Sequence, residues 1–265
     1  MKRSQQIILV ILLLTLSSLS GCAARRPPAE PQPRLQLNWE RETPQSLLAS
    51  LQTKTEALNA FTAYFQISMD PPPKGMPSSF SGVLYLHKEA TRTSLRIKAF
   101  HMFGTTLFDM VAQDGTTRLY IPSQRTLYVG RMDQNAQDGN QGPQAVFSAM
   151  LIDFSRLNAR PHSTLTIGRH HVKLPLEGGE IWLDKETGHI VSLSRGDKTI
   201  SYGNYQELQA GKPAMPTEIN LTTATGKARC LLKEVTLQDK MAPSNFDISH
   251  YQVKETKPLS AATKR

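Results

Sequence analysis

Residues 93–111 read TSLRIKAFHMFGTTLFDMV, and the reading of this stretch decides the fold. Leu95, Ile97 and Ala99 alternate with Ser94, Arg96 and Lys98, the period of two that belongs to a one-sided, half-buried strand. A second run starts at Thr105 and reaches Gln113. Between them stands Phe100-His101-Met102-Phe103-Gly104, where polar turn formers normally close a hairpin. Two antiparallel strands joined through an apolar tip are therefore predicted. The tip is either a contact surface or a hairpin end packed under the sheet.

The same period continues on both sides. Upstream, Phe61, Ala63, Phe65, Ile67 and Met69 alternate with polar neighbours, Pro71-Pro72-Pro73 and Gly75 interrupt, and Phe80, Gly82, Leu84 and Leu86 resume. Downstream, Asp114-Gly115 turns into Thr117 to Ile121, and Pro122-Ser123 turns again into Thr126 to Gly130. Further strands are expected near 165–174, 180–183, 189–194, 199–205, 217–222 and 228–237, with turns at 184–188, Gly196-Asp197 and Thr225-Gly226. That makes about eleven or twelve strands, without parallel βαβ spacing.

Two helices punctuate them. Thr43-Pro44 offers an N-cap and a proline at the first helical position, and Leu47, Leu48, Leu51, Leu58 and Phe61 fall largely on one face, so a helix from about Pro44 to Ala60 is predicted. After the polar run 131–142, Pro143 opens a second helix whose Val146, Phe147, Met150, Leu151, Phe154 and Leu157 form a broad apolar face. The fold class is mainly β with helices (α+β): a long, bent antiparallel sheet with one apolar face. Such a sheet closes over its own side chains or holds an apolar ligand under a helical lid, and the two helices favour the lid. Leu47, Leu51, Leu58, Phe65, Leu84, Ile97, Phe147, Met150, Leu151 and Phe154 are the candidate cavity and lid residues.

The chain starts differently. Met1-Lys2-Arg3 precedes an apolar run, Ile7 to Leu16, too short to span a bilayer as a helix of roughly 20 residues. Residues 1–21 read as a secretory signal, and Leu19-Ser20-Gly21-Cys22 resembles the bacterial lipobox, which implies cleavage before Cys22 and acylation of its thiol. Ala23-Ala24 follow it where an aspartate would favour the inner membrane, so the outer membrane, on its periplasmic side, is the expected location. Cleavage removes two of the 31 basic residues and none of the 22 acidic ones, leaving +7, a charge suited to anionic headgroups or simply to a solvated surface. The proline-rich residues 22–43 read as a tether reaching up to roughly 60 Å, residues 44–253 as the folded domain, and 254–265 as a basic disordered tail.

Catalytic signatures do not emerge. No phosphate loop, GxSxG, HExxH or paired zinc cysteines occur, so neither a catalytic residue, a metal nor a cofactor is assigned, and the chain is read as a non-enzyme. His170-His171 would point to opposite faces of a strand, Cys230 reads as a small buried side chain, and Asp109 as an outward residue of an alternating strand, with an inward acid as the alternative. Aromatic and basic residues do not interleave as in an RNA-binding sheet, so nucleic acid is not an expected partner.

Several phrases carry a family likeness: the lipobox, Leu58-Asn59-Ala60-Phe61, Phe80-Ser81-Gly82, Tyr120-Ile121-Pro122-Ser123, Leu127-Tyr128-Val129-Gly130, and Trp182 to Gly188. Together they resemble the LolB-like outer-membrane lipoproteins of the LolA/LolB superfamily, from about Pro44 to Ile248. The resemblance implies a half-open antiparallel β-barrel of about eleven strands with a helical lid, whose apolar cavity binds lipoprotein acyl chains. It further implies anchorage through Cys22, a periplasmic LolA-like donor, and an apolar loop between the third and fourth strands that passes cargo to the membrane. Phe100, Met102 and Phe103 occupy that loop, although His101-Met102 stands where the family more often has Gly-Pro-aliphatic-Gly. A structural or assembly lipoprotein that uses the tip to hold a protein partner is the alternative; a lipid hydrolase is a distant third.

Overall fold

A computed structural model describes residues 38–72, 76–89, 92–131 and 157–262. One α-helix lies within them, α1 (Pro44–Glu56), and apart from short 3-10 turns the rest of the regular structure is strand. Thr43 caps α1: its hydroxyl accepts from the Ser46 amide at 3.1 Å while Ser46 Oγ accepts from the Thr43 amide at 2.9 Å, with Pro44 at the first helical position. The helix stops earlier than its apolar spacing indicates, because Ala60 already pairs with His87 as the first residue of a strand.

The strands are β1 (Ala60–Asp70), β2 (Ser79–Glu89), β3 (Arg92–Phe100), β4 (Thr106–Gln113), β5 (Thr116–Ile121), β6 (Thr126–Arg131), β7 (Thr166–Ile167), β8 (His171–Leu176), β9 (Gly179–Asp184), β10 (Ile190–Arg195), β11 (Lys198–Gln206), β12 (Met215–Thr223), β13 (Gly226–Leu237) and β14 (Glu255–Pro258). They form one sheet in the order β14-β6-β5-β4-β3-β2-β1-β13-β12-β11-β10-β9-β8-β7, so it ends in two edges and does not close. Two meanders, β1 to β6 and β7 to β13, are joined where β1 runs antiparallel to β13.

One apolar surface dominates the sheet. Nineteen buried side chains from β1, β2, β3, β4, β12 and β13 form it, from Phe61 and Phe65 through Leu84 and Ile97 to Leu232, and no residue of α1 belongs to it. The helix instead buries Leu47, Leu48 and Leu51 against Val172, Leu174, Ile181, Leu183 and Leu193 of β8, β9 and β10. Ile200 and Tyr202 of β11 pack against both groups and make them continuous.

Several expectations are corrected. Strand β3 is not one-sided: Ser94 and Arg96 are buried as well as Leu95 and Ile97. The chain after β13 returns across that second face, where Met241, Phe246 and Ile248 pack with Val111 and Tyr120. Asp109, wholly buried, accepts from Arg96 Nε at 2.9 Å and Nη2 at 2.6 Å and from the Tyr251 hydroxyl at 2.8 Å, and Arg96 Nη1 donates to the Asn245 carbonyl at 2.9 Å. A buried guanidinium needs a carboxylate in this geometry, and the diagonal neighbour on β4 supplies it.

The run 165–174 divides into β7 and β8, and the tail from Lys254 is not wholly disordered: Glu255–Pro258 pairs in parallel with β6, and Leu259 is buried. Trp39, inside the expected tether, belongs to the domain, buried against the α1 group with its indole N–H on the Lys185 carbonyl at 2.9 Å. Residues 143–156 of the second predicted helix lie outside the described residues; Leu157, from its expected apolar face, is not helical and packs partly buried against the α1 group.

Removing Asp109 leaves Arg96 buried and unpaired, so Asp109→Ala is expected to destabilise the fold by about 3 kcal/mol, and Tyr251→Phe by about 1.5 kcal/mol, in denaturant titrations. Replacing both partners, Arg96→Met with Asp109→Leu, should recover part of the larger loss, because no charge is then stranded.

Candidate functional site

Phe65 sets the geometry of the apolar surface. It pairs in register with Gly82 on β2, and its ring lies over that glycine: a Cβ there would stand 2.5 Å from Phe65 Cζ and collide with the Lys98 carbonyl. Phe65 meets Phe80 edge-on at 6.2 Å, and Phe80 meets Phe108 at 5.8 Å, a row of rings running toward the β3–β4 hairpin. Leu84 and Ile97 are fully buried in the same surface, and Leu58, off the end of α1, packs partly buried against it. Leu47 and Leu51 sit in the neighbouring group under the helix. Phe147, Met150, Leu151, Phe154 and Cys22 lie outside the described residues.

Where this surface reaches the ends of β1, β12 and β13, a depression of about 250 Å³ opens to solvent. Met69, Leu221 and Ala228 give it an apolar floor, and Ser68, Asp70, Asn220, Thr222, Lys227 and Arg229 a polar border.

The hairpin tip stands at the same end of the sheet. The His101 amide donates to the Thr105 carbonyl at 2.8 Å and the Gly104 amide to the His101 carbonyl at 2.9 Å, a tight turn in which Gly104 takes φ +78°. Phe100 is half-buried under the Lys98 ammonium, 5.7 Å from its ring centroid. Met102 is 88% exposed and Phe103 87%. The packed-under reading of the tip therefore fails for these two: they project from a well-hydrogen-bonded turn into solvent.

Groups with reactive chemistry are otherwise engaged. Cys230 is fully buried in the apolar surface, and burial pushes its thiol up to about 12, far from a nucleophile at neutral pH. Burial likewise raises the Tyr202 and Tyr205 phenols. The Tyr251 phenol is raised by burial first and by its bond to Asp109 second, while hydrogen bonding to Asp109 raises Arg96. Among the described residues no three His, Cys, Asp or Glu side chains are grouped to hold a metal. No described helix is long and apolar enough to cross a membrane.

Two structural anchors escaped the sequence reading. Trp39 left a signal, a lone tryptophan closing a proline-rich run. The Arg96–Asp109–Tyr251 group left a weaker one, an aspartate amid Leu107, Phe108, Met110 and Val111.

No family model matches the chain, and no curated protein matches it. Solved structures do. A domain described as an outer membrane lipoprotein-sorting protein, from Vibrio parahaemolyticus, superposes with a TM-score of 0.59 at 13% identity, covering 77% of this chain and 96% of its own. A DUF1329 family protein from Desulfovibrio piger gives 0.58 at 9% identity, over 80% and 100% of the two chains. A LolA superfamily protein from Nitrosomonas europaea gives 0.54 at 13% identity, over 78% and 98%. At such identities the likeness is one of architecture: the chain has the open, mainly antiparallel fold seen in the LolA superfamily.

Proposed function

We propose that this protein is a lipid-anchored envelope lipoprotein that takes acyl chains of lipoproteins or lipids onto its apolar sheet surface and delivers them at the outer membrane. The observation that carries the reading is the hairpin tip. Met102 and Phe103 stand almost fully in solvent, at the same sheet end as an open depression with an apolar floor. Each buried methylene of an acyl chain is worth about 0.8 kcal/mol, so cargo moves between carrier and bilayer only along a path that keeps its chains out of water. An apolar projection from the rim of an apolar surface shortens that path.

The lipobox at Cys22 supports the anchor, and Ala23-Ala24 after it support the outer membrane. Within the reading, a LolA-like periplasmic carrier is the donor and nucleic acid has no part. The activity is binding and transfer without catalysis, in keeping with Cys230 buried and Asp109 held by Arg96 and Tyr251.

Lipid extracted from protein purified out of its own membrane should contain acylated species in stoichiometric amount by mass spectrometry; a preparation consistently free of lipid sinks the proposal. Met102→Ser with Phe103→Ser should leave the melting temperature and the bound lipid unchanged, since both side chains are exposed. The same variant should lower transfer of acylated cargo into vesicles by at least about tenfold, each side chain being worth about 1.5–3 kcal/mol on burial. Cross-linking from position 102 distinguishes the assembly alternative: adducts with one defined protein and none with lipid would favour it.

A further inference from the structure

The tip shares its end of the sheet with other exposed groups. Strands β5 and β6 are joined by the short 3-10 turn Pro122–Gln124, followed by the exposed Arg125. Tyr120 pairs with Asp109 of β4, so this turn lies one hairpin along from the tip and on the same side. The chain before β14 arrives there too: the Lys254 amide donates to the Arg125 carbonyl at 2.8 Å, and Val253, 39% exposed, precedes it. Lys98 stands two residues before the half-buried Phe100.

Three cations thus accompany apolar side chains that face water. Among the described residues Lys98, Arg125 and Lys254 take part in no ion pair, whereas Arg92, Arg96, Lys173, Arg229 and Lys257 do. The carboxylate next along the chain, Glu255, is held by Lys257 at 2.8 Å. An apolar projection flanked by cations complements a bilayer that carries anionic headgroups, whose phosphates lie just above the acyl layer. An acidic protein surface would satisfy the cations but leave Met102 and Phe103 unsheltered.

We propose that this end of the sheet is a docking surface for anionic lipid. Met102 and Phe103 enter the acyl layer while Lys98, Arg125 and Lys254 meet the phosphates. The inference rests on the carrier reading and adds the kind of membrane surface that the tip selects.

The test uses the full chain, reconstituted through its anchor into vesicles. With Met102→Cys and Cys230 buried, an environment-sensitive dye labels the tip alone. Vesicles of phosphatidylethanolamine and phosphatidylglycerol at about three to one should shift the dye emission to the blue, phosphatidylcholine vesicles should not, and high salt should weaken the shift. Each basic side chain contributes about fivefold at an anionic surface, so Lys98→Gln, Arg125→Gln and Lys254→Gln together should lower the ratio of inserted to free tip about a hundredfold. An equal shift in both lipids, or one indifferent to the triple substitution, overturns the charge reading. No shift in either lipid overturns the membrane contact and points to a protein partner. Bound acyl lipid measured on the same samples separates the two proposals: its absence from the unsubstituted chain is a failure of the carrier reading, and its retention with an unresponsive tip is a failure of this inference alone.

Discussion

Everything in this domain depends on the pairing of β1 with β13. Nine register pairs from Phe61↔Leu237 to Asp70↔Lys227 join the two meanders. Each meander is built from local hairpins, which close at little entropic cost; this pairing joins segments far apart in sequence and repays its closure cost by completing one apolar surface. Phe65, Ile67 and Met69 face inward on one side of the seam and Ala228, Cys230 and Leu232 on the other. Without the seam there would be two half-sheets, each with a narrower apolar face.

The sheet is also held from behind, but unevenly. Strands β3 and β4 are the ones with four consecutive buried residues, Ser94 to Ile97 and Phe108 to Val111, because the segment from Met241 to Tyr251 covers their second face. The Arg96–Asp109 pair and the Tyr251 hydroxyl lock that cover down. Buried ion pairs barely repay their desolvation, so the net gain in stability there is small; what the charged group adds is direction, because a bidentate guanidinium fixes the register of two strands against a strap. The strands clamped this way are the two that carry the exposed tip, which gives Met102 and Phe103 a rigid mount.

Much of this was legible in the sequence where one face of a strand is buried and the other wet. The alternation in Phe61 to Met69, the break at Pro71, and the turn at Asp114-Gly115 all appear in the structure where their chemistry requires them. Legibility failed where a residue answers to partners distant in sequence. Arg96 reads as solvent-facing until the returning strap is in place, and Leu58 suits a helix and a strand approach equally until Ala60 pairs. Strands of two or four residues, Thr166–Ile167 and Glu255–Pro258, have no period to read; they exist because longer neighbours offer an edge, and their shortness, with Pro258 in one, leaves little ladder for another chain. In the site, the composition of the tip was visible at once, but its exposure was not, since a buried hairpin end would have the same residues.

Exposure of the tip carries an energetic argument of its own. Two large apolar side chains held in water forgo about 1.5–3 kcal/mol each, a sum comparable to a large part of the stability of an ordinary domain. A turn of Asn-Gly type would close the same hairpin without that cost. Free in solution, such a tip would enter a bilayer only weakly, because two side chains do not offset the loss of translational freedom. Under the proposed anchoring at Cys22 that balance would change: the chain from Cys22 to Trp39, at about 3.1 Å per residue, would reach roughly 50 Å and hold the tip at high effective concentration beside the membrane. On that proposal weak entry would be an advantage, since a tip that binds and releases quickly could hand over cargo repeatedly while the anchor kept the protein in place.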